Sequence, residues 1–165
     1  MLKRLKINNY ALIDSIEISF DKGMTSITGE TGAGKSIILG GLSMVLGSRI
    51  DNSKIINKDK KCFVEAVFDL SQQNSIDFFS KNDLDYDHIT IIRREVNQNG
   101  KSRAFINDTP VNLAVLEKVT LNLIDIHSQN DTLSLLKNEY QFQVLDAIAD
   151  NNRMLLQYQN LLAAH

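Results

Sequence analysis

The residues that could do chemistry lie close together. Gly29-Glu30-Thr31-Gly32-Ala33-Gly34-Lys35-Ser36 fits G-x-x-x-x-G-K-[ST], the spacing of a phosphate-binding loop. Glycines in such a turn let backbone N–H groups curl around a phosphate without Cβ obstruction. A helix N-terminus behind the turn favours the anion. Lys35 is the catalytic cation expected to reach β- and γ-phosphates, and the Ser36 hydroxyl is the expected Mg2+ ligand. The binding residues for ATP and Mg2+ then run from Gly29 through Ile37.

A second polar cluster, His127-Ser128-Gln129-Asn130, follows the apolar run Leu121-Asn122-Leu123-Ile124-Asp125-Ile126. With that run as a buried strand, the cluster stands at its C-terminal end, where open α/β sheets bind ligands. Gln129 could there reach Mg2+ and orient an attacking water. The plainer alternative is Ser128 or Asn130 capping the next helix, with His127 structural. Arg93, Arg94 and Arg103 could also meet phosphates. Successive strand residues point to opposite faces, so at most one of Arg93 and Arg94 serves a single site.

Positioning the loop requires a strand before it and a helix after it. Gly23-Met24-Thr25-Ser26-Ile27-Thr28 reads as that strand and residues 37–46 as that helix. Six of the eight glycines lie between positions 29 and 47, which points to one site of close backbone approach. Upstream, Leu2 to Ile7 and Ile13 to Phe20 alternate as strands with one face for a core and one for water. Downstream, Gly47 to Lys61 reads as an exposed connection in which Lys58-Asp59-Lys60-Lys61 is a solvated turn. Phe63 to Leu70 reads as a strand, and Asn74 to Asn82 as a short helix capped by Asn74 or Ser75. Ile89 to Val96 and Ser102 to Asn107 form a hairpin around Asn97-Gln98-Asn99-Gly100, because Asn-Gly is a strong tight-turn signal. Pro110 marks a loop turning into a helix that begins near Val111. From Asp131 onward the chain is helical in character. Leu145, Ile148, Leu155 and Leu162 make an apolar stripe interrupted by Asn152 and Gln159, a weak heptad. No stop signal precedes His165, so the helix is expected to run on.

The bulk numbers suit one soluble domain. At 165 residues the chain can bury about two-thirds of its unfolded surface. Hydrophobic content of 43% and charged content of 23% are ordinary, and the net charge of −2 gives no basic arm for nucleic acid. One cysteine, Cys62, excludes an internal disulfide framework and reads as a buried structural thiol in a reducing cytoplasm. No apolar run reaches the length of a signal peptide or a membrane span.

Several separated segments then resemble one family. L-K-R-L-K-I-N-N-Y-A-L-I-D, G-M-T-S-I-T-G-E-T-G-A-G-K-S-I, L-G-S-R-I-D, R-R-E-V, G-K-S-R-A-F-I-N-D-T-P-V and D-I-H-S-Q are similar, in order, to the RecN family. That family comprises bacterial double-strand-break repair ATPases of the SMC-like branch of the ABC-type ATPases. The resemblance implies an α/β fold, the N-terminal lobe of a P-loop head of ABC/SMC type. Such a lobe has a mixed sheet with a strand-rich antiparallel part. It also implies two segments, residues 1–137 as the head half and 138–165 as the start of a helical arm. The phosphate loop falls on Gly29 to Ser36, and the Q-loop glutamine corresponds to Gln129 as a metal and water ligand. Residues near Arg4, Arg49 and Asp51 would approach the nucleotide. The partners implied are a second head, joined across sandwiched ATP, and DNA through the full-length assembly. The setting implied is cytoplasmic and nucleoid-associated, with no membrane.

The chain departs from the pattern in two places. Ile37 stands where many ABC-type loops carry a threonine, so the α-phosphate would be held by backbone N–H groups. The Q-loop reads H-S-Q-N where relatives often read H-G-Q-H. Two elements are also missing from the sequence: an apolar run ending in Asp-Glu after the Q-loop, and an L-S-G-G signature. The expectation is a fragment of a longer protein, inactive alone. Two other functions share the loop chemistry. An ABC transporter subunit would want a stacking aromatic before the loop and a closer Q-loop. A small-molecule kinase would want lid arginines.

Overall fold

Alternating apolar and polar residues give each strand one face for a helix and one for water, and the observed pairing follows that alternation. The computed structural model describes residues 1–30, 34–71, 76–121, 123–124, 126, 138–149 and 151–163. They fall in two compact units, Met1–Asp125 and Ile126–His165.

The first unit is built on β1 (Leu2–Tyr10), β2 (Ile13–Ser19), β3 (Cys62–Asp69), β4 (Ile89–Val96), β5 (Ser102–Ile106) and β6 (Thr109–Val111). Their order is β2-β1-β3-β4-β5-β6, with every pairing antiparallel. Ile7 lies opposite Val64, Ala66 opposite Ile92, and Ile92 opposite Ile106, so one face is a continuous apolar surface. Helix α1 (Lys35–Val45) covers it, burying Leu42, Met44 and Val45. Each such side chain contributes roughly 1.5–3 kcal/mol through its removal from water. The other face carries exposed ion pairs: Arg4 to Glu17 at 3.4 Å, Arg4 to Glu65 at 3.5 Å and Lys6 to Glu17 at 3.8 Å. Such pairs add at most about 1 kcal/mol each and mainly keep that face wet.

The β4–β5 hairpin forms as expected around Asn97 to Gly100. Asn97 N–H donates to Lys101 O at 3.1 Å, and Gly100 takes φ 72°. α2 (Ile76–Lys81) is the expected short helix, and its proposed caps Asn74 and Ser75 lie outside the described residues. α3 (Leu113–Thr120) starts at Asn112, whose side chain accepts from Val115 N–H at 2.9 Å.

Several expectations need correction. Gly23 to Thr28 is no strand: its residues are all exposed, Met24 at 97%. A strand requires a neighbour to complete its ladder, and no described residue offers one there. Leu121 to Ile126 shows no strand among its described residues either. Leu123 and Ile124 N–H donate to Thr120 O at 2.9 and 3.3 Å, extending α3 as a turn. The antiparallel part of the expected sheet is therefore present, without those two strands. Pro110 lies within β6, not in a loop. β6 is an edge strand bonded only to β5, where a missing N–H is tolerated. Asn107 and Asp108, at φ 47° and 64°, make the turn into it.

The glycine cluster also resolves differently. A Cβ on Gly41 would sit 2.6 Å from Ile7 Cδ1, and one on Gly40 would sit 3.2 Å from the Tyr10 hydroxyl. Those two glycines let α1 lie directly on β1, and they serve packing.

The second unit holds α4 (Asn138–Ile148) and α5 (Asn152–Ala163). The expected stripe is split between them, Leu145 and Ile148 on α4 and Leu155 and Leu162 on α5, all exposed. Asn151 lies at the break, its N–H donating to Asp146 O at 3.1 Å and its carbonyl accepting from Leu155 N–H at 3.0 Å. Among the described residues no helix is long and apolar enough to cross a membrane.

Candidate functional site

The sequence assigns the phosphate loop to the start of α1, and that helix start is built unlike its end. Gly34 is the N-cap residue, in the left-handed region at φ 89° that glycine adopts without a Cβ clash. Its carbonyl accepts from Ile37 and Ile38 N–H at 3.0 and 3.2 Å. Among the described residues no side-chain hydrogen bond caps the helix, and its first turn carries no acidic residue. The positive end of such a helix favours an anion.

Lys35 Nζ folds back over the loop and donates to the carbonyls of Gly29 and of Glu30, the latter at 2.7 Å. Both acceptors are neutral. A phosphate offers a charge-assisted bond of roughly twice the strength, so Lys35 can transfer to it. Ser36 follows with an exposed hydroxyl, and Ile37 is half-buried. Gly29 and Glu30 are exposed. Thr31, Gly32 and Ala33 lie outside the described residues, as do His127, Ser128, Gln129 and Asn130. A cation, a hydroxyl and an open helix N-terminus in this order fit a triphosphate with Mg2+.

The far end of α1 is closed by side chains. Arg94, 1% exposed, donates from Nη1 to Met44 O at 3.4 Å and from Nη2 to Ser102 Oγ at 2.8 Å. Burial holds its pKa below the usual arginine range, and the charge of Glu117 opposes that shift. Thr120 Oγ1 donates to Leu46 O at 3.1 Å, and Gly47, at φ 108°, lies directly against the Glu117 side chain. An 11-residue helix spans roughly 16 Å, so Arg94 belongs to the opposite end from the loop. Arg93 points to the other face, its guanidinium 4.9 Å from the Phe105 ring centre, as strand alternation requires. Arg103 is exposed on β5. Arg4 pairs with carboxylates on the wet face of the sheet. Asp51 accepts from Ser53 N–H at 3.0 Å and Oγ at 2.6 Å, bonds that hold its carboxyl below the usual range. Arg49 is exposed beyond the C-terminus of α1.

Cys62 is fully buried, and desolvation pushes its thiol up to about 11, so it is structural as expected. Asn9 was not anticipated. It sits at φ 54° and 2% exposure, and its amide donates to Asn57 O at 2.8 Å and Lys60 O at 3.1 Å. Its carbonyl accepts from Asn57 N–H at 2.8 Å, so one side chain pins the long connection after α1. An asparagine at the end of an alternating run was the available signal, since asparagine tolerates this backbone region.

Comparison with known proteins bears on what this arrangement serves. The family model described as an AAA domain matches residues 4–163. The DNA repair protein RecN of Haemophilus influenzae is 39% identical over 160 residues, covering 94% of this chain and 29% of the relative. RecN of Bacillus subtilis is 34% identical over 151 residues, covering 90% and 26%. The chain thus spans under a third of the length of these curated relatives. Among solved structures, the Smc head domain of Pyrococcus furiosus, with an extended coiled coil and bound to the C-terminal domain of ScpA, superposes at a TM-score of 0.67. It is 18% identical and covers 99% of this chain and 46% of that one. The recombination mediator RecF with ATP gives a TM-score of 0.51 at 15% identity, covering 67% and 29%. The fold is that of an SMC-type head, as the sequence led one to expect. The chain belongs to the AAA domain family, and over nearly its whole length it is similar to RecN.

Proposed function

We propose that this chain is the ATP-binding N-terminal head segment of an SMC-like ATPase acting in recombinational repair of DNA double-strand breaks. The carrying observation is the open start of α1, where Gly34, Lys35 and Ser36 stand in phosphate-loop order with no internal cap. In this reading Lys35 leaves the carbonyls of residues 29 and 30 for the β- and γ-phosphates. Ser36 ligates Mg2+, which neutralises charge on the phosphate oxygens. Backbone N–H groups from Gly29 to Ile37 hold the remaining oxygens, and Gln129 orients the attacking water and completes the metal shell.

Residues 1–137 then form half of the head, and 138–165 begin its arm. The exposed, apolar Met24 and Ile27 support a head completed by strands from elsewhere in the full-length protein. The carboxylates and the L-S-G-G signature absent from this sequence would come from there too. A second head closing over the bound nucleotide gives a homodimer, with DNA engaged by the full assembly at the cytoplasmic nucleoid. The relatives are DNA repair proteins, and nothing favours the transporter reading or the small-molecule kinase. ATP turnover by the full-length protein tests the proposal. Gln129→Ala should keep Mg-ATP affinity within about twofold and slow hydrolysis at least a hundredfold. Loss of binding with native folding would contradict the role given to Gln129.

A further inference from the structure

The closed end of α1 borders an open cleft of about 440 Å³, within the size range of small-molecule sites. Gly47, Arg49, Asn52, Arg94, Ser102 and Glu117 are among its lining residues. Arg94 forms the floor. A buried guanidinium normally rests on a carboxylate. Among the described residues its hydrogen-bond partners are the neutral Met44 carbonyl and the Ser102 hydroxyl, its Nε has none, and Glu117 acts on it through charge.

Ser102 accepts from Arg94, so its own proton remains free to donate, and the residue is exposed. Arg49 is exposed on the same cleft and makes no ion pair among the described residues. Asn52 adds an amide, with Nδ2 3.3 Å from where a Cβ on Gly100 would lie. Asn52 and Gly100 also line an adjoining pocket of about 110 Å³ that carries Lys58 and Lys60, which extends the positive potential. The opposing carboxylate, Glu117, is exposed and keeps its hydration.

We propose that this cleft binds the phosphate group of a small ligand. Arg49 and the Ser102 hydroxyl touch its oxygens, and Arg94 supplies the positive charge beneath them. Two guanidinium charges set against the single carboxylate of Glu117 leave the cleft net positive, which attracts an anion, and the choice of phosphate over carboxylate rests on the donors around it. A hydroxyl and an amide beside the guanidinium groups offer the additional donors that a tetrahedral anion can use. The site is separate from the phosphate loop and does not depend on the function assigned to it.

Inorganic phosphate titrated at constant ionic strength, read by calorimetry and by the Ser102 amide shift, tests the assignment. Saturable binding is expected, weakened about tenfold or more by Arg49→Gln, with that variant melting as the parent does. Lys35→Ala should bind phosphate at this cleft as the parent does. Acetate at the same ionic strength should not move the Ser102 amide. Equal affinity in Arg49→Gln, loss in Lys35→Ala, or an equal response to acetate would each overturn the proposal. So would the absence of any saturable binding, which would leave Arg94 a helix cap and nothing more.

Discussion

The two ends of α1 use the same backbone chemistry in opposite ways. At the C-terminal end, Arg94 and Thr120 satisfy orphan carbonyls and Gly47 lies against Glu117, while Gly40 and Gly41 bring the middle of the helix close to β1. At the N-terminal end, among the described residues, no side chain caps the N–H groups, and Lys35 donates to the carbonyls of Gly29 and Glu30. Every helix has orphan groups at both ends. One set here is spent on the fold, and the other is the one proposed to meet a ligand. Substitutions in the buried contacts of α1 should therefore change stability, and substitutions at its open end should change nucleotide binding.

The largest effect is expected at Gly41. Gly41→Leu would drive a side chain into Ile7 and separate α1 from β1, costing about 3 kcal/mol in urea unfolding. An unchanged midpoint would mean that helix and strand are not in this contact. Arg94→Ala comes next, at roughly 2 kcal/mol, through the two lost hydrogen bonds and the cavity left behind. Its Mg-ATP affinity at the loop should stay as in the parent, and a parallel loss of nucleotide binding would break the division between the two ends. The smallest effect belongs to Cys62 and vanishes near neutral pH. The folded thiol is pushed up to about 11 while the unfolded one titrates near its ordinary value. Between about pH 9 and 11 the unfolded chain binds fewer protons, so stability falls as pH rises. Cys62→Ala should flatten that slope, measured as urea midpoints across the window; an unaltered slope would assign it to other groups.

Much of this contrast could be read from the sequence, and the exceptions share a cause. The hairpin at Asn97 to Gly100 is legible because its signal is local. The helix behind the glycine-rich motif is legible because the motif ends where a helix begins, and α1 starts at Lys35. Gly23 to Thr28 misleads because its place before the loop says nothing about whether a neighbouring strand is at hand. Pro110 misleads in the other direction, since only the edge position of β6 makes a proline acceptable there. The glycines at 40 and 41 look like part of the phosphate site, and only the helix-on-sheet contact reveals their purpose. Alternation places Arg93 and Arg94 on opposite faces but cannot say which is buried. The cap on α1 lies 50 residues away from Arg94 in sequence, beyond any local signal.

Calorimetric titration of Mg-ATP into the full-length protein, parent against Lys35→Ala, addresses the claim that the open end of α1 grips a triphosphate. The account predicts that the variant unfolds within about 0.5 kcal/mol of the parent, as surface substitutions do, and gives no binding heat. A variant that binds Mg-ATP as tightly as the parent would contradict it.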